Sequence, residues 1–525
     1  MLRPSRIVVF NRTGERIGLP FPGLWLKLSL RMIVDFIVYE GQESSRRADS
    51  VKGVGMRCSL RLSLLLLVLL IPSVGFSEDY FPKVADYQLD VTFVPEQALI
   101  SGTAVVHFRD ATDYSRKTTG FLHGELWVDS VTSGGRAVPF EQARIPYTFN
   151  YSAIATRFVL SMDRVDPDTG IAIYYHGPMH ASEATSQSNY MRIDPDGVYL
   201  RSYGYSLWFP VFLPDRNSDI EADFSRIVVR TPADFHTVVV GDNVSERFED
   251  GLRVSEWSSK NQSIFTVQCV SQRCLRMADD KIALYFYADS QSVEMASNIL
   301  QFANGLLDHY SQYYRSGAES AMSYIVEMPP YGDISSGNMT GLQRETWCSF
   351  EEARWAQRGL AHELVHPFVW VRPAVTDRFF SLAVEGFPSY FHLPVLAELI
   401  GQDFYREYMA QTEMGYLKKR STGKDGRGRP LPEEKPILAI SADELSTYKD
   451  AFVLSDRVLL FFNYLYQHMG RDEFFTFTRD LFTHEQVTED VFRNTIEKHL
   501  PGSRDDVRLW LETTEFPKRF MISES

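Results

Sequence analysis

Cysteine is scarce. Four occur in 525 residues, at spacings that match no zinc-knuckle pattern. Cys269 and Cys274 are close enough to close a small disulfide loop; buried free thiols at 269, 274 and 348 are the other reading. There is no excess of positive charge. The 54 Lys+Arg face 68 Asp+Glu, a formal net of −14. Residues 1–77 hold 11 Lys+Arg against 5 Asp+Glu, which leaves −20 on the remainder. A body that acidic argues against nucleic acid as a partner, because phosphate attraction needs a basic face. No run reaches the ~20 apolar residues that span a bilayer; the most apolar stretch, Leu62 to Ile71, is about half that. No internal repeat is visible.

What is present is core-forming material. Hydrophobic residues make up 44% and aromatics 13%, a globular composition with room for two to four domains. "MRCSLRLSLLLLVLLIPSVGFSED" runs from Met56 with Arg57 and Arg61, then the apolar stretch, then Ser73, Gly75 and Ser77. Basic start, short apolar middle and small-residue end make a secretory signal peptide. This predicts an exported (periplasmic or secreted) protein, with residues 1–55 a disordered upstream extension, 56–77 the signal, and no stable membrane insertion once it is cleaved.

Residues 78–288 read as strands. Tyr87, Leu89, Val91 and Phe93 alternate onto one face, "SGGR" marks a turn, and "RIVVRTP", "FHTVVVGD", "SIFTVQCV" and "IALYFYAD" continue the series. This predicts an antiparallel β domain. Near Ser290 the period changes to that of a helix, with Val293, Ile299, Leu300, Phe302, Leu306, Leu307 and Tyr310 on one face. "MSYIVEMP" reads as a strand, and "GNMTG" as an edge strand or tight turn. "SFEEARWAQRGLAHELVH" reads as a helix capped by Ser349. Further helices continue to the end, so residues 289–525 form a second, mainly helical domain and the fold class is multidomain α+β.

Within that last motif, His362, Glu363 and His366 form H-E-x-x-H. Residues four apart share a helix face, so the two histidines can grip one metal ion. Glu363 is turned about 100° away, beside the metal, where it can take a proton from an activated water. A third ligand is needed. Glu385 stands in "LAVEGFPSYF" with eighteen residues between it and His366. One Zn²⁺ per chain is the expectation.

"HELVH", eighteen residues and "EGF" resemble the gluzincin zinc aminopeptidases, the family of aminopeptidase N and the leukotriene hydrolase. The resemblance covers most of residues 80–520 and implies an N-terminal β domain, with "LWFPVF" inside it, before a thermolysin-like zinc catalytic domain. The long C-terminal helical domain of larger members has no counterpart here. The resemblance further implies that Tyr448, in "TYKDAFVL" and 63 residues after Glu385, donates to the oxyanion of a tetrahedral intermediate. It implies a peptide substrate, bound partly through Gly337, Asn338, Met339 and Thr340 of "GNMTG", an edge that pairs with substrate backbone.

Two departures stand out. The family anchors a substrate's free amino group through a glutamate where this chain has Thr340, and a neutral hydroxyl cannot form that charge-assisted pair. Glu345 and Gln187 are possible substitutes. Pro367 follows His366 directly, removes the hydrogen bond to the Glu363 carbonyl and should kink or end the helix. The sequence thus predicts an exported, aminopeptidase-like zinc metallopeptidase. Loss of the amine anchor leaves a zinc endopeptidase or a hydrolase of blocked peptides as the alternative, and a non-catalytic peptide-binding protein on the same scaffold as a third reading.

Overall fold

The computed structural model describes residues 82–109, 117–147, 153–180, 191–200, 207–212, 221–263, 267–314, 322–329, 334–369, 378–441, 444, 453–484 and 487–516, with a strand pair, Val9–Phe10 against Arg16–Ile17. The chain divides into two units, Met1–Glu78 and Asp79–Ser525. All that follows concerns the second. The leader segment Met56–Ser77, Gln187 and Tyr448 lie outside the described residues.

The β region is built on an eight-stranded sheet. Its order is Asp242–Glu249, Leu252–Ser263, Glu221–Pro232, Lys83–Val94, Leu99–Arg109, Ile171–Pro178, Trp127–Ser133 and Arg136–Ala137. Tyr87, Leu89, Val91 and Phe93 are buried with polar residues between them, the alternation of a strand with one face on a core. Phe209 of "LWFPVF" meets the Tyr87 ring edge-on at 5.5 Å. The predicted "SGGR" turn is a two-residue hairpin whose Gly134 and Gly135 take φ of 53° and 76°, the sign that a primed turn requires. Pairing is antiparallel except between Glu221–Pro232 and Lys83–Val94, which run parallel. Two smaller sheets, of three and four strands, complete the region.

A five-stranded sheet follows, in the order Leu275–Ala278, Ile282–Phe286, Ser323–Met328, Met339–Gln343 and Ile334–Ser336. It lies between two cores. Ile282, Leu284, Phe286, Ile325 and Leu342 enter the helical core. Ala283, Tyr285, Tyr324, Val326, Met328 and Met339 enter the β core. Burial on both faces is why "IALYF" and "YIVEM" read as unbroken apolar runs. "IALYFYAD", read in sequence as the close of the β series, supplies this shared sheet instead.

Nine helices are described, and each places residues in the helical core: α1 (Ser290–Tyr313), α2 (Arg344–Cys348), α3 (Arg354–Val369), α4 (Phe387–Ile400), α5 (Gln402–Thr422), α6 (Val458–Met469), α7 (Arg471–Phe482), α8 (Glu489–His499) and α9 (Arg504–Glu512). Asp289 caps α1, accepting from the Ser292 N–H at 3.0 Å. Ile299, Leu306, Leu307 and Tyr310 face inward as expected, whereas Val293 is 43% exposed. The motif helix begins at Arg354, five residues after the expected Ser349 cap; Ser349 closes α2, donating its N–H to the Glu345 carbonyl. Cys269, Cys274 and Cys348 are free, so the Cys269–Cys274 disulfide is not formed. Burial pushes the Cys274 thiol up to about 12.

Candidate metal centre

α3 presents the motif. Its apolar side, Ala356, Leu360, Ala361, Leu364, Val365 and Phe368, is buried in the helical core. α1 fixes its height: the buried Tyr310 hydroxyl donates to the Ala361 carbonyl at 2.8 Å. The next turn of α1 holds α4 the same way, through Tyr314 to the Phe391 carbonyl. One helix therefore sets both walls of the site. α3 runs on through Pro367 and ends at Val369. Both histidines lie before the proline.

The Nε2 atoms of His362 and His366 are 3.4 Å apart. Two nitrogens bound tetrahedrally to one zinc at about 2.05 Å would be about 3.3 Å apart, so the pair fits that ion. Glu363 Oε1 is 4.0 Å from His362 Nε2, beside the pair and farther than a ligand to the same ion would be. Ligand atoms of His362, Glu363 and His366 all lie within 4.8 Å of one another, and among the described residues this is the group able to hold a metal. The His362 and Glu363 side chains are 21% and 13% exposed, so the cluster opens to solvent on one side.

Glu385 is not in that cluster. It is 5% exposed, on a π-helical turn, Leu382–Gly386, that leads into α4. The Phe387 N–H reaches back five residues to the Leu382 carbonyl, and the added residue re-aims the side chains of the turn. Gly386 is closely packed. A Cβ there would stand 2.6 Å from Leu382 Cδ1 and 3.1 Å from Val458 Cγ1 of α6. The glycine of "EGF" thus serves a close approach of α6. A second π turn, Val453–Arg457, leads into α6 and packs against the first.

The "GNMTG" segment corrects the expected edge. Met339–Gln343 is an inner strand, parallel to Ser323–Met328 on one side and antiparallel to Ile334–Ser336 on the other. Gly337, at φ +53°, and Asn338 form the hairpin turn. The Asn338 amide donates to the Gly241 and Met322 carbonyls and accepts from the Gly241 N–H. Met339 is buried in the β core, and Thr340 is 3% exposed between strands. These side chains tie the hairpin to the β region. The outer strand is Ile334–Ser336, and α3 packs beside it. Glu345 is exposed in the first turn of α2.

One neighbour was missed in the sequence. His392 of α4 lies edge-on to His362, ring centroids 5.5 Å apart and planes at 85°. Its Nδ1 is 2.7 Å from the Pro388 carbonyl. Burial pulls its pKa down to about 3. A lone histidine within the apolar run "FPSYFHLPVL", seven residues after Glu385, was the available signal.

No protein-family model matches the chain, and no curated protein matches it in sequence. Its fold does match solved structures. The M1 zinc metallopeptidase of Deinococcus radiodurans superposes with a TM-score of 0.60 at 16% identity, over 84% of this chain and 96% of that one. A variant of that protein bound to a Tyr-Ser-Ala substrate gives 0.60 at 15%, over 84% and 98%. Yeast LTA4 hydrolase gives 0.60 at 13%, over 83% of this chain and 68% of that one. At these identities the likeness establishes the fold.

Proposed function

We propose that the chain is a zinc-dependent metallopeptidase of the M1 type, aminopeptidase-like and acting on peptides. The observation that carries this is the Nε2 pair at tetrahedral-edge distance with the Glu363 carboxylate beside it, in a fold shared with zinc metallopeptidases. His362 and His366 would hold the ion, with Glu385 as third ligand from the adjoining turn. The ion would acidify a water and polarise the scissile carbonyl. Glu363 takes the proton of the attacking water and delivers it to the leaving amine. Tyr448 donates a hydrogen bond to the developing oxyanion. The outer strand Ile334–Ser336 offers backbone groups to an extended peptide next to α3.

Selectivity for a free N-terminus is less supported. Thr340 is buried, and the Asn338 amide is fully engaged, so this segment offers no anion to an ammonium group. That favours, as the second reading, cleavage of internal bonds or blocked peptides. The test is hydrolysis of one peptide set with free and with acetylated N-termini, zinc quantified, with and without a chelator. Chelator-sensitive cleavage confined to free termini means an aminopeptidase whose anchor lies elsewhere. Cleavage of both means relaxed selectivity. No cleavage at full zinc occupancy overturns the enzymatic reading in favour of peptide binding. Tyr448→Phe should lower the rate about 100-fold. Export through Met56–Ser77 is part of the proposal; deletion of that segment should retain the protein inside the producing cell.

A further inference from the structure

His392 is the feature of the site that its proposed chemistry does not use. It is 2% exposed, on the apolar helix α4. Its Nδ1–H donates to the Pro388 carbonyl at 2.7 Å, which leaves Nε2 as a lone-pair acceptor. That atom is buried with no hydrogen-bond partner. A buried acceptor left without a partner is destabilising, so a leucine would suit this position better for packing alone. The ring beside it is His362, set edge-on at 5.5 Å. His362 turns its own Nε2 toward His366, so its Nδ1 is on the side of the ring away from the metal position. Two imidazoles joined tip to tip by a hydrogen bond of about 2.9 Å would have centroids about 5.2 Å apart, close to the 5.5 Å here, so the rings have the room and must turn for Nε2 to meet the His362 Nδ1–H.

We propose that His392 is the positioning residue for the ligand His362, its Nε2 accepting the His362 Nδ1–H and so holding the tautomer that leaves His362 Nε2 free for the metal. Metal-binding histidines generally donate their second nitrogen to a carboxylate, carbonyl or water, and loss of that partner costs about 10–100-fold in affinity. Here an imidazole buried on the neighbouring helix does this, without adding a charge to the site. The inference rests on the zinc reading above.

The experiment uses the full chain and zinc alone, with affinity measured by chelator competition and the coordination shell by X-ray absorption. His392→Leu should weaken zinc about 10–100-fold, with the same number of ligands in the shell and a metal-free Tm equal to or above that of the parent. His392→Gln returns a neutral acceptor at similar reach and should recover most of the affinity. Parent-like affinity in His392→Leu overturns the proposal, and so does failure of His392→Gln to recover any. A shell one nitrogen smaller in His392→Leu overturns it in favour of direct ligation. If the parent itself binds no zinc, the metal reading fails first; parent binding with an indifferent His392→Leu defeats this inference alone.

Discussion

The two segments proposed to supply the metal centre are built by different means. α3 is regular through the motif, and the four-residue spacing of His362 and His366 alone brings their Nε2 atoms to 3.4 Å. The Leu382–Gly386 turn is π-helical and depends on what presses against it: α6 through Val458, and the second π turn at Val453–Arg457. Local geometry suffices for the first. The second is held by tertiary packing, so changes far along the chain should reach Glu385 while leaving the histidine pair untouched.

The largest effect should come from the regular side. Glu363→Gln keeps the shape of α3 and both proposed ligands and removes the proposed base. Turnover should fall about 10²–10⁴-fold or more with zinc still near one per chain. Loss of zinc in that variant would show that the carboxylate holds the ion rather than acting beside it.

Next is the second π turn. Arg457 is fully buried, donating to the carbonyls of Leu509, Trp510, Thr513 and Glu515 and to Glu434 Oε1 at 2.9 Å. Removal of one partner of such a buried network costs about 3–5 kcal/mol. Arg457→Leu should lower urea stability by that order and loosen α9. If the two π turns are coupled, its zinc affinity falls as well; unchanged affinity would uncouple them.

Gly386→Ala tests the packing directly. The added methyl meets Leu382 and Val458 and should destabilise by about 1–3 kcal/mol. Zinc affinity should fall with it, while the far-ultraviolet signature of the helices is kept. The smallest change is expected at the end of α3. Pro367→Ala restores the hydrogen bond to the Glu363 carbonyl and should raise stability slightly, by about 1 kcal/mol or less, read as a small rise in Tm. Zinc affinity should not move, since both histidines precede the proline.

Much of this was legible before the fold. The strand series, the hairpin at Gly134 and Gly135, the α1 face and the histidine pair all follow from contacts a few residues apart. The errors share one cause. Ser349 looked like a cap because it precedes a periodic run, yet the short helix α2 ends on it. Of the two readings of "GNMTG", the tight turn held at Gly337 and Asn338, and the edge strand failed because nothing in its letters records the strand Ile334–Ser336 folded back on it. The Cys269–Cys274 loop was plausible by spacing, and the strand pairing left both thiols free.

By itself the sequence determined the chemistry of α3, because period and side-chain type fix which groups share a helix face. It also determined that a carboxylate follows at the distance of a next helix. Only the tertiary structure decided that Glu385 rides a π turn, that "EGF" needs its glycine for α6, and that His392 sits behind His362. Those facts depend on which elements press together across 70 residues of chain, and a local pattern carries no record of that.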